Sequence, residues 1–388
     1  MAVDWGNLEV ISLNLIFDKL SERIDQIYFS AVCKYWYYIA KVNHQHRKTK
    51  NNALPMLMIP QKNKCRTKRS LYGLSSNTIY PLQLQVPYNR RLCGSSHGWL
   101  AKVESSKNIV ITLLNPFQNL APIPLPPIYM LNIDRRRENY ECNVHKVILS
   151  TNPTTRPHDY ITVAIYSMRK CLAFIKAGQK LWTYIDCEHF CFTDVIFYKG
   201  LVYAVGRWNN IISLDLCCPG NANVIPNVVS SRGDVYAHRA YLVESLEGDL
   251  WLIRKFISYP PHDFVDENRN NHSNGTKRFE VYKLELDLQS GKLKQMVKLD
   301  SLGDNVVFVG DSDSVSFSAS YFSNHLQKDS IYYSDDFYDD MPFPYPNGAF
   351  NMGIYNVKDG SFSQHCPFHH WFKRMPPAIW VLPPNKWD

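Results

Sequence analysis

The segment Gly94-Ser95-Ser96-His97-Gly98 has the G-x-S-x-G spacing of a nucleophile elbow, where a serine is thrust out on a turn between a strand and a helix. The residues that follow, Trp99-Leu100-Ala101-Lys102-Val103, read as a strand rather than a helix start. The arrangement expected is therefore a tight turn, with serine and histidine bonded to the backbone of a neighbouring sheet. Cys187-Glu188-His189-Phe190-Cys191 and His365-Cys366-Pro367-Phe368-His369-His370 hold metal-ligating types. Structural zinc needs two ligand pairs at defined spacing, and C-x-H-x-C has no matching second pair. Cys217-Cys218 are adjacent, a poor chelating geometry. Packed thiols and solvent-exposed histidines are expected instead. Asp335, Asp336, Asp339 and Asp340 could offer oxygens to calcium, but the EF-hand spacing and its glycine are missing. A surface loop, solvated or facing a basic partner, fits them better. With no phosphate-cradling glycine loop and no acid/base pair, the residues point away from an enzyme and imply no cofactor and no metal.

The elements that position these residues are mostly short strands. Gly98-Trp99-Leu100-Ala101-Lys102-Val103 precedes Ile109-Val110-Ile111-Thr112-Leu113-Leu114-Asn115. Gly200-Leu201-Val202-Tyr203-Ala204-Val205 precedes Ile211-Ile212-Ser213-Leu214-Asp215, and Gly248-Asp249-Leu250-Trp251-Leu252-Ile253 precedes Phe279-Glu280-Val281-Tyr282-Lys283-Leu284-Glu285. Each is a glycine turn, an apolar strand, a polar turn and a second strand. The last two glycines lie 48 residues apart and the first two 102, close to two periods. A period near fifty with several strands in each repeat is that of a β-propeller blade, and the chain has room for about six. Ser330-Ile331-Tyr332-Tyr333-Ser334 and Met352-Gly353-Ile354-Tyr355-Asn356-Val357 fit further blades. Residues 260–277 look like a mobile loop inserted in one blade. Ring closure is expected from pairing of Ile379-Trp380-Val381-Leu382 with Ile79-Tyr80-Pro81-Leu82.

Ahead of the strands, Leu8, Ile11, Leu13, Ile16, Phe17 and Leu20 recur at three- and four-residue spacings, as on an amphipathic helix with Ser12 as its cap. Ser21 and Asp25 open a second helix carrying Ile24, Ile27, Tyr28, Ala31 and Val32. A third spans about residues 33–44, with Trp36, Ile39 and Ala40 on one face. Helices this short and apolar need a partner.

At 388 residues the chain suits one small and one large domain. The net charge of +8 is uneven: residues 26–103 carry thirteen basic groups and no acid, whereas the remainder of the chain is slightly acidic. That stretch reads as a solvated linker and helix face, a docking patch for an acidic protein, or an import signal at Lys62, Lys64, Arg66, Lys68 and Arg69. A dedicated nucleic-acid binder would show a basic stripe on its main domain, so no nucleic acid is expected. Ten scattered cysteines, no membrane-spanning apolar run and no signal-like start place the chain in the nucleus, the cytoplasm or both.

Leu8, Leu13, Ile16 and Leu20, followed by Val32-Cys33 and Trp36, fall where the F-box motif places its apolar anchors. The start of the chain thus resembles an F-box, the segment that docks on the Skp adaptor of SCF ubiquitin ligases. It departs at Leu8-Glu9, where Leu-Pro is usual, and at Ser12, where a second leucine is common. The body carries Gly94-Ser95-Ser96-His97-Gly98-Trp99-Leu100, Leu114-Asn115-Pro116-Phe117, Leu125-Pro126-Pro127 and Asp194-Val195-Ile196-Phe197-Tyr198-Lys199-Gly200. Further on stand Tyr241-Leu242-Val243-Glu244-Ser245, Val281-Tyr282-Lys283-Leu284, Leu302-Gly303-Asp304, Phe308-Val309-Gly310-Asp311 and Ile331-Tyr332-Tyr333-Ser334-Asp335-Asp336. In that order these resemble the plant F-box proteins with a C-terminal KIB-type propeller. The resemblance implies a small all-α F-box at residues 1–45, a basic linker at 46–68 and an all-β propeller of about six blades at 69–388. It implies a substrate-receptor subunit of an SCF-type ligase: the helices hold a Skp-type adaptor, and through it a cullin, by Leu8, Leu13, Ile16, Leu20, Val32, Cys33 and Trp36, and the propeller holds an unnamed protein substrate. The rival is a propeller scaffold with a degenerate F-box that joins no ligase.

Overall fold

The computed structural model describes residues 5, 8–20, 23–46, 54–59, 68–84, 86, 90–105, 109–118, 120–129, 143–185, 190–208, 210–216, 227–230, 237–257, 276–287, 291–334, 351–365 and 376–383. The acidic cluster at 335–340, Cys187, the Cys217-Cys218 pair, nearly all of the loop 260–277 and most of the basic stretch at 62–69 lie outside them.

Three helices lead: α1 (Val10–Lys19), α2 (Arg23–Ala31) and α3 (Lys34–His46). Glu9, in an extended conformation, takes the N-cap position of α1, and Leu13 N–H closes the first helical bond on its carbonyl. Ser12, expected as the cap, therefore lies inside the helix. The spacing of Leu13 and Phe17 on α1 and of Trp36, Ile39 and Ala40 on α3 puts each set on one face. With Phe29 of α2 they form a closed small core, with ring centroids 5.2 Å apart for Phe17–Phe29 and 4.5 Å for Phe29–Trp36. Asn43 Nδ2 donates to Asn14 Oδ1 at 2.7 Å and ties α3 to α1.

The body is a six-bladed propeller. Blade 1 holds β1 (Met56–Ile59), β2 (Lys68–Gly73) and β3 (Thr78–Gln83). Blade 2 is β4 (Leu92–Ser96), β5 (Trp99–Ser105), β6 (Ile109–Leu114) and β7 (Ile123–Pro124), and blade 3 is β8 (Val144–Leu149), β9 (Ile161–Tyr166), β10 (Cys171–Lys176) and β11 (Thr183–Tyr184). Blade 4 is β12 (Phe192–Tyr198), β13 (Leu201–Gly206), β14 (Ile211–Leu214) and β15 (Asn227–Ser230), and blade 5 is β16 (Arg239–Glu244), β17 (Leu250–Ile257), β18 (Thr276–Leu286) and β19 (Leu293–Leu299). Blade 6 holds β20 (Asn305–Val309), β21 (Val315–Ser318), β22 (Ser330–Tyr333), β23 (Gly353–Asn356) and β24 (Phe362–Ser363). The last strand, β25 (Ile379–Val381), returns to blade 1 and completes its order β25-β1-β2-β3.

Closure is thus a strand exchange between the two ends of the propeller. Its partner differs from the one expected: Ile379 faces Met58 and Val381 faces Met56 in register, whereas Ile79–Leu82 belongs to β3 at the outer edge of the same sheet. The stretch read as linker at 46–68 accordingly contains β1, and the propeller begins by Leu54, which is fully buried. Sequence pattern alone hides this, because a four-residue apolar run beside many lysines resembles a linker with a few apolar residues.

Six apolar cores lie between adjacent blades. Met56 and Met58 point into the core shared with blade 2, Leu57 and Ile59 into the core shared with blade 6. Inner strands are buried on both faces, which is why they read as continuous apolar runs rather than alternating ones. The recurrent turns carry the glycine at φ 82° (Gly98), 82° (Gly200) and 83° (Gly248), a region open to glycine at little cost. His97-Gly98 and Lys199-Gly200 both pair two positive φ values, the two-residue hairpin that matches strand twist. Blade 3 turns through the longer loop 150–160 instead, which accounts for the doubled spacing between Gly98 and Gly200.

Blade 6 departs from the others. Its β20–β21 hairpin places β21 innermost and leaves β20 parallel to β22. Ser330–Tyr333 and Gly353–Asn356, expected in further blades, are neighbours in this one. His365, expected at the surface, is buried between Tyr332 and Trp380 at the seam of the ring, with its Nε2–H donating to Tyr333 O at 3.2 Å. Its Nδ1 has no hydrogen-bond partner among the described residues, and burial lowers its pKa from 6.5 to about 4. Between those values the unfolded chain takes up a proton that the folded chain refuses. Stability should therefore fall by about 3 kcal/mol as pH drops from 6.5 to 4. Denaturant melts across that range will show the loss, and His365→Gln will flatten it.

Candidate functional site

The turn of the β20–β21 hairpin enters the central channel and brings carboxylates to cations from other blades. Arg91, just before β4, donates from Nη2 to Asp311 Oδ2 at 2.6 Å. The same guanidinium donates to Val144 O at 3.0 Å and His145 O at 2.8 Å on β8. Lys146 of β8 is ion-paired to Asp194 of β12, both nearly inaccessible to solvent. Asp194 Oδ2 accepts Leu242 N–H of β16 at 2.8 Å, and Oδ1 accepts Val195 N–H at 2.8 Å. Burial raises the Asp194 pKa, and Lys146 with the two amides works against that rise. Blades 2 to 6 are linked by this one buried network.

Ser96 sits beside it. Leu149 N–H of blade 3 donates to Ser96 Oγ at 3.1 Å, so the serine of the G-x-S-x-G segment is a staple between blades, as its strand context predicted. A Cβ on Gly94 would lie 2.4 Å from Val147 O, so only glycine lets β4 approach β8 this closely. His97 stands exposed at the rim. Trp99 Nε1 donates to Asn152 Oδ1 at 3.0 Å and Tyr198 Oη to Gly248 O at 2.8 Å, locking neighbouring rim loops together.

On the side of the His97 turn the channel opens into a cavity of about 1140 Å³. Its lining includes His97, Asn152, Arg156, Leu246, Asp313 and Tyr321. Tyr321 and Leu246 are exposed at its rim, and Asp313 lines its wall half-buried. Apart from His97, none of the charged residues of channel or mouth stood out as a site in the sequence. The available signal was a charge inside an apolar strand run, as with Lys146 in Val144–Leu149 and Asp194 in Phe192–Tyr198.

The helical bundle is the second candidate. Of the residues assigned to adaptor contact, Leu13 is fully buried and Trp36 is 8% exposed, both inside the bundle's own core. Trp36 Nε1 donates to Trp5 O at 3.2 Å. Leu8, Ile16, Leu20 and Cys33 pack half-buried against that core, and Val32 is exposed. The apolar side chains left outside are others: Ile11 at 70% exposure, Tyr38 at 62%, Leu15 at 60%, with Val10, Tyr28 and Tyr35 beside them in the chain. Periodicity had marked Ile11 and Tyr28 as apolar helix positions without telling which side of the helix faces inward. Tyr80 Oη of β3 donates to Asp25 Oδ1 of α2 at 3.3 Å and joins bundle to propeller.

Among the described residues no three His, Cys, Asp or Glu side chains converge as metal ligands, and no helix is long and apolar enough to cross a membrane. The described residues thus form a propeller with a hairpin turned into its channel, joined to a small helical bundle that leaves apolar side chains exposed. The chain belongs to the KIB1-4 beta-propeller family, whose profile matches residues 71–356. An Arabidopsis thaliana protein named as an F-box protein is 23% identical over 380 residues, covering 93% of each chain. A second Arabidopsis protein of that naming is 20% identical over 383 residues, covering 98% of this chain and 97% of its own. A solved quinonprotein alcohol dehydrogenase-like protein from Bacteroides thetaiotaomicron is similar over 86% of this chain and 78% of its own, at 9% identity and a TM-score of 0.41, a likeness that bears on neither mechanism nor partners.

Removing Asp194 strands Lys146 without its counter-ion. Asp194→Ala should cost about 3–5 kcal/mol in equilibrium unfolding. Adding Lys146→Met should recover part of that loss, because the orphaned ammonium is gone.

Proposed function

We propose that this chain is the substrate-receptor subunit of an SCF-type ubiquitin ligase. The three helices dock on a Skp-type adaptor and through it on a cullin, and the propeller holds a target protein. Catalysis is then by proximity, since the receptor positions its target near the charged enzyme and performs no bond chemistry itself. The observation that carries the reading is the apolar exterior of the bundle. Ile11, Leu15, Tyr28, Val32 and Tyr38 lie outside the small core of the bundle, and a partner groove of the helix-in-groove kind would bury them. The naming of the two Arabidopsis relatives supports the same reading. In this reading Val32 and the outward side chains contact the adaptor, while Leu13 and Trp36 hold the helices in place. The reading also puts the protein in the nucleus or cytoplasm, with Lys62, Lys64 and Arg66 as the import signal, whereas Arg69 of the same basic stretch is buried in β2. A propeller scaffold that joins no ligase is the second reading, favoured by Glu9 standing where the F-box motif has proline.

Two variants separate contact from support. Ile11→Glu with Val32→Glu should lower capture of purified Skp-type adaptors at least tenfold and leave the helical circular dichroism intact. Trp36→Ala should lose the bundle itself, at about 3–5 kcal/mol, and lose capture with it. An adaptor panel that captures neither the natural chain nor the variants would give the scaffold reading the lead.

A further inference from the structure

Around the β20–β21 turn the described side chains that meet carry one carboxylate more than they have cations. Arg91 and Lys146 bring two cations, whereas Asp194, Asp311 and Asp313 bring three carboxylates. Arg91 is taken by Asp311 and Lys146 by Asp194. Asp313 has no ion-pair partner within 4.0 Å among the described residues. Its carboxylate is near Ser96, its backbone N–H donates to Ser95 O at 3.1 Å, and it lines the open cavity. At the rim Arg156 is paired with Asp159 at 3.3 Å, and Glu244, also in the lining, adds a further acid. His97 is the remaining basic group facing the mouth among the described residues. Burial pushes the Asp313 carboxyl up, and Lys146, a hydrogen bond from Ser96 and His97 work against that rise without cancelling it. Leu246, Val315 and Tyr321 border the same space with apolar surface.

We propose that this mouth takes one lysine or arginine side chain from an extended segment of the target protein, its cationic head at Asp313 and its aliphatic stem between Tyr321 and Leu246. The proposal rests on the reading of the propeller as the part that holds the target. The cavity volume accommodates a long side chain together with its flanking backbone. Charge selects the side chain: a cation completes the network, whereas a carboxylate would meet Asp313 and Glu244. The rim hydroxyls of Ser150, Thr155 and Ser320 lie beside the path of the flanking backbone and offer hydrogen bonds without demanding a sequence.

The test uses the full chain and fluorescein-labelled nonapeptides that differ only at the central residue. Lysine and arginine peptides should bind at least tenfold more tightly than the glutamine, norleucine and glutamate peptides, and Asp313→Asn should erase that difference. Tyr321→Lys, at an exposed rim position, should weaken the cationic peptides by a similar factor and serves if the Asp313 variant does not fold. Equal binding of all five peptides, or a cationic preference unchanged in both variants, overturns the proposal. Butylamine or potassium ion that binds at the mouth with no peptide preference also overturns it and makes the mouth a small-cation site. Adaptor capture is measured on the same samples. Its loss with cationic selection retained removes the ligase reading and leaves the mouth, and the converse removes the mouth alone.

Discussion

The buried network of Arg91, Asp311, Lys146 and Asp194 is the constraint on which the ring depends. A propeller blade is apolar on both faces, so adjacent blades could slide or tilt against one another at little cost in buried area. Directional bonds at the axis remove that freedom. Asp311 holds Arg91 across blades 6 and 2, Arg91 donates to blade 3, Lys146 carries the link to blade 4, and Asp194 accepts from blade 5. Each ion is costly to bury and is repaid only when every partner is in place. The network thus favours one arrangement of five blades over all near misses. Blade 1 is fixed differently, by pairing of β25 with β1. The ring is therefore joined by main-chain bonds at one seam and by charged side chains at the axis.

The unusual strand order of blade 6 follows from the same need. A hairpin turned inward brings Asp311 and Asp313 to the axis and puts β21 where other blades have their first strand. Asp313 at its turn also lines the cavity on the side of His97. Ser314 and Ser316 of that hairpin then bond to Asp194 at 3.4 Å and to Glu244 O at 2.6 Å, so the plug is anchored to blades 4 and 5 as well. Rim loops around such a cavity can differ while the scaffold stays constant.

The helical bundle has the opposite economy. Among the described residues its apolar core is six side chains, most of them aromatic or large. Little remains inside to hold three helices together, and much apolar surface stays outside. Asp25 and Tyr80 tie the bundle to the propeller through a polar bond. Such a bundle gains most of its stability from whatever covers it, whereas the propeller is complete in itself. Two faces of different character on one chain suit a protein that joins two partners.

Sequence alone determined the division into helices and strands, the blade period from Gly98, Gly200 and Gly248, and the grouping of Trp36, Ile39 and Ala40 on one face of α3. These are local signals, set by backbone φ preferences and by side-chain spacing along a single element. It also placed Ser96 in a turn rather than at a nucleophile elbow, because the following residues favour a strand. Tertiary structure decided the rest. Which strand closes the ring depends on pairing between residues more than three hundred positions apart, and β1 is too short to announce itself. Whether Leu13 and Trp36 face a partner or their own core depends on how three helices meet, since periodicity gives a helix face but not its neighbour. The charges at the axis meet only when the blades close, and so the channel, its plug and its mouth were out of reach of any reading along the chain.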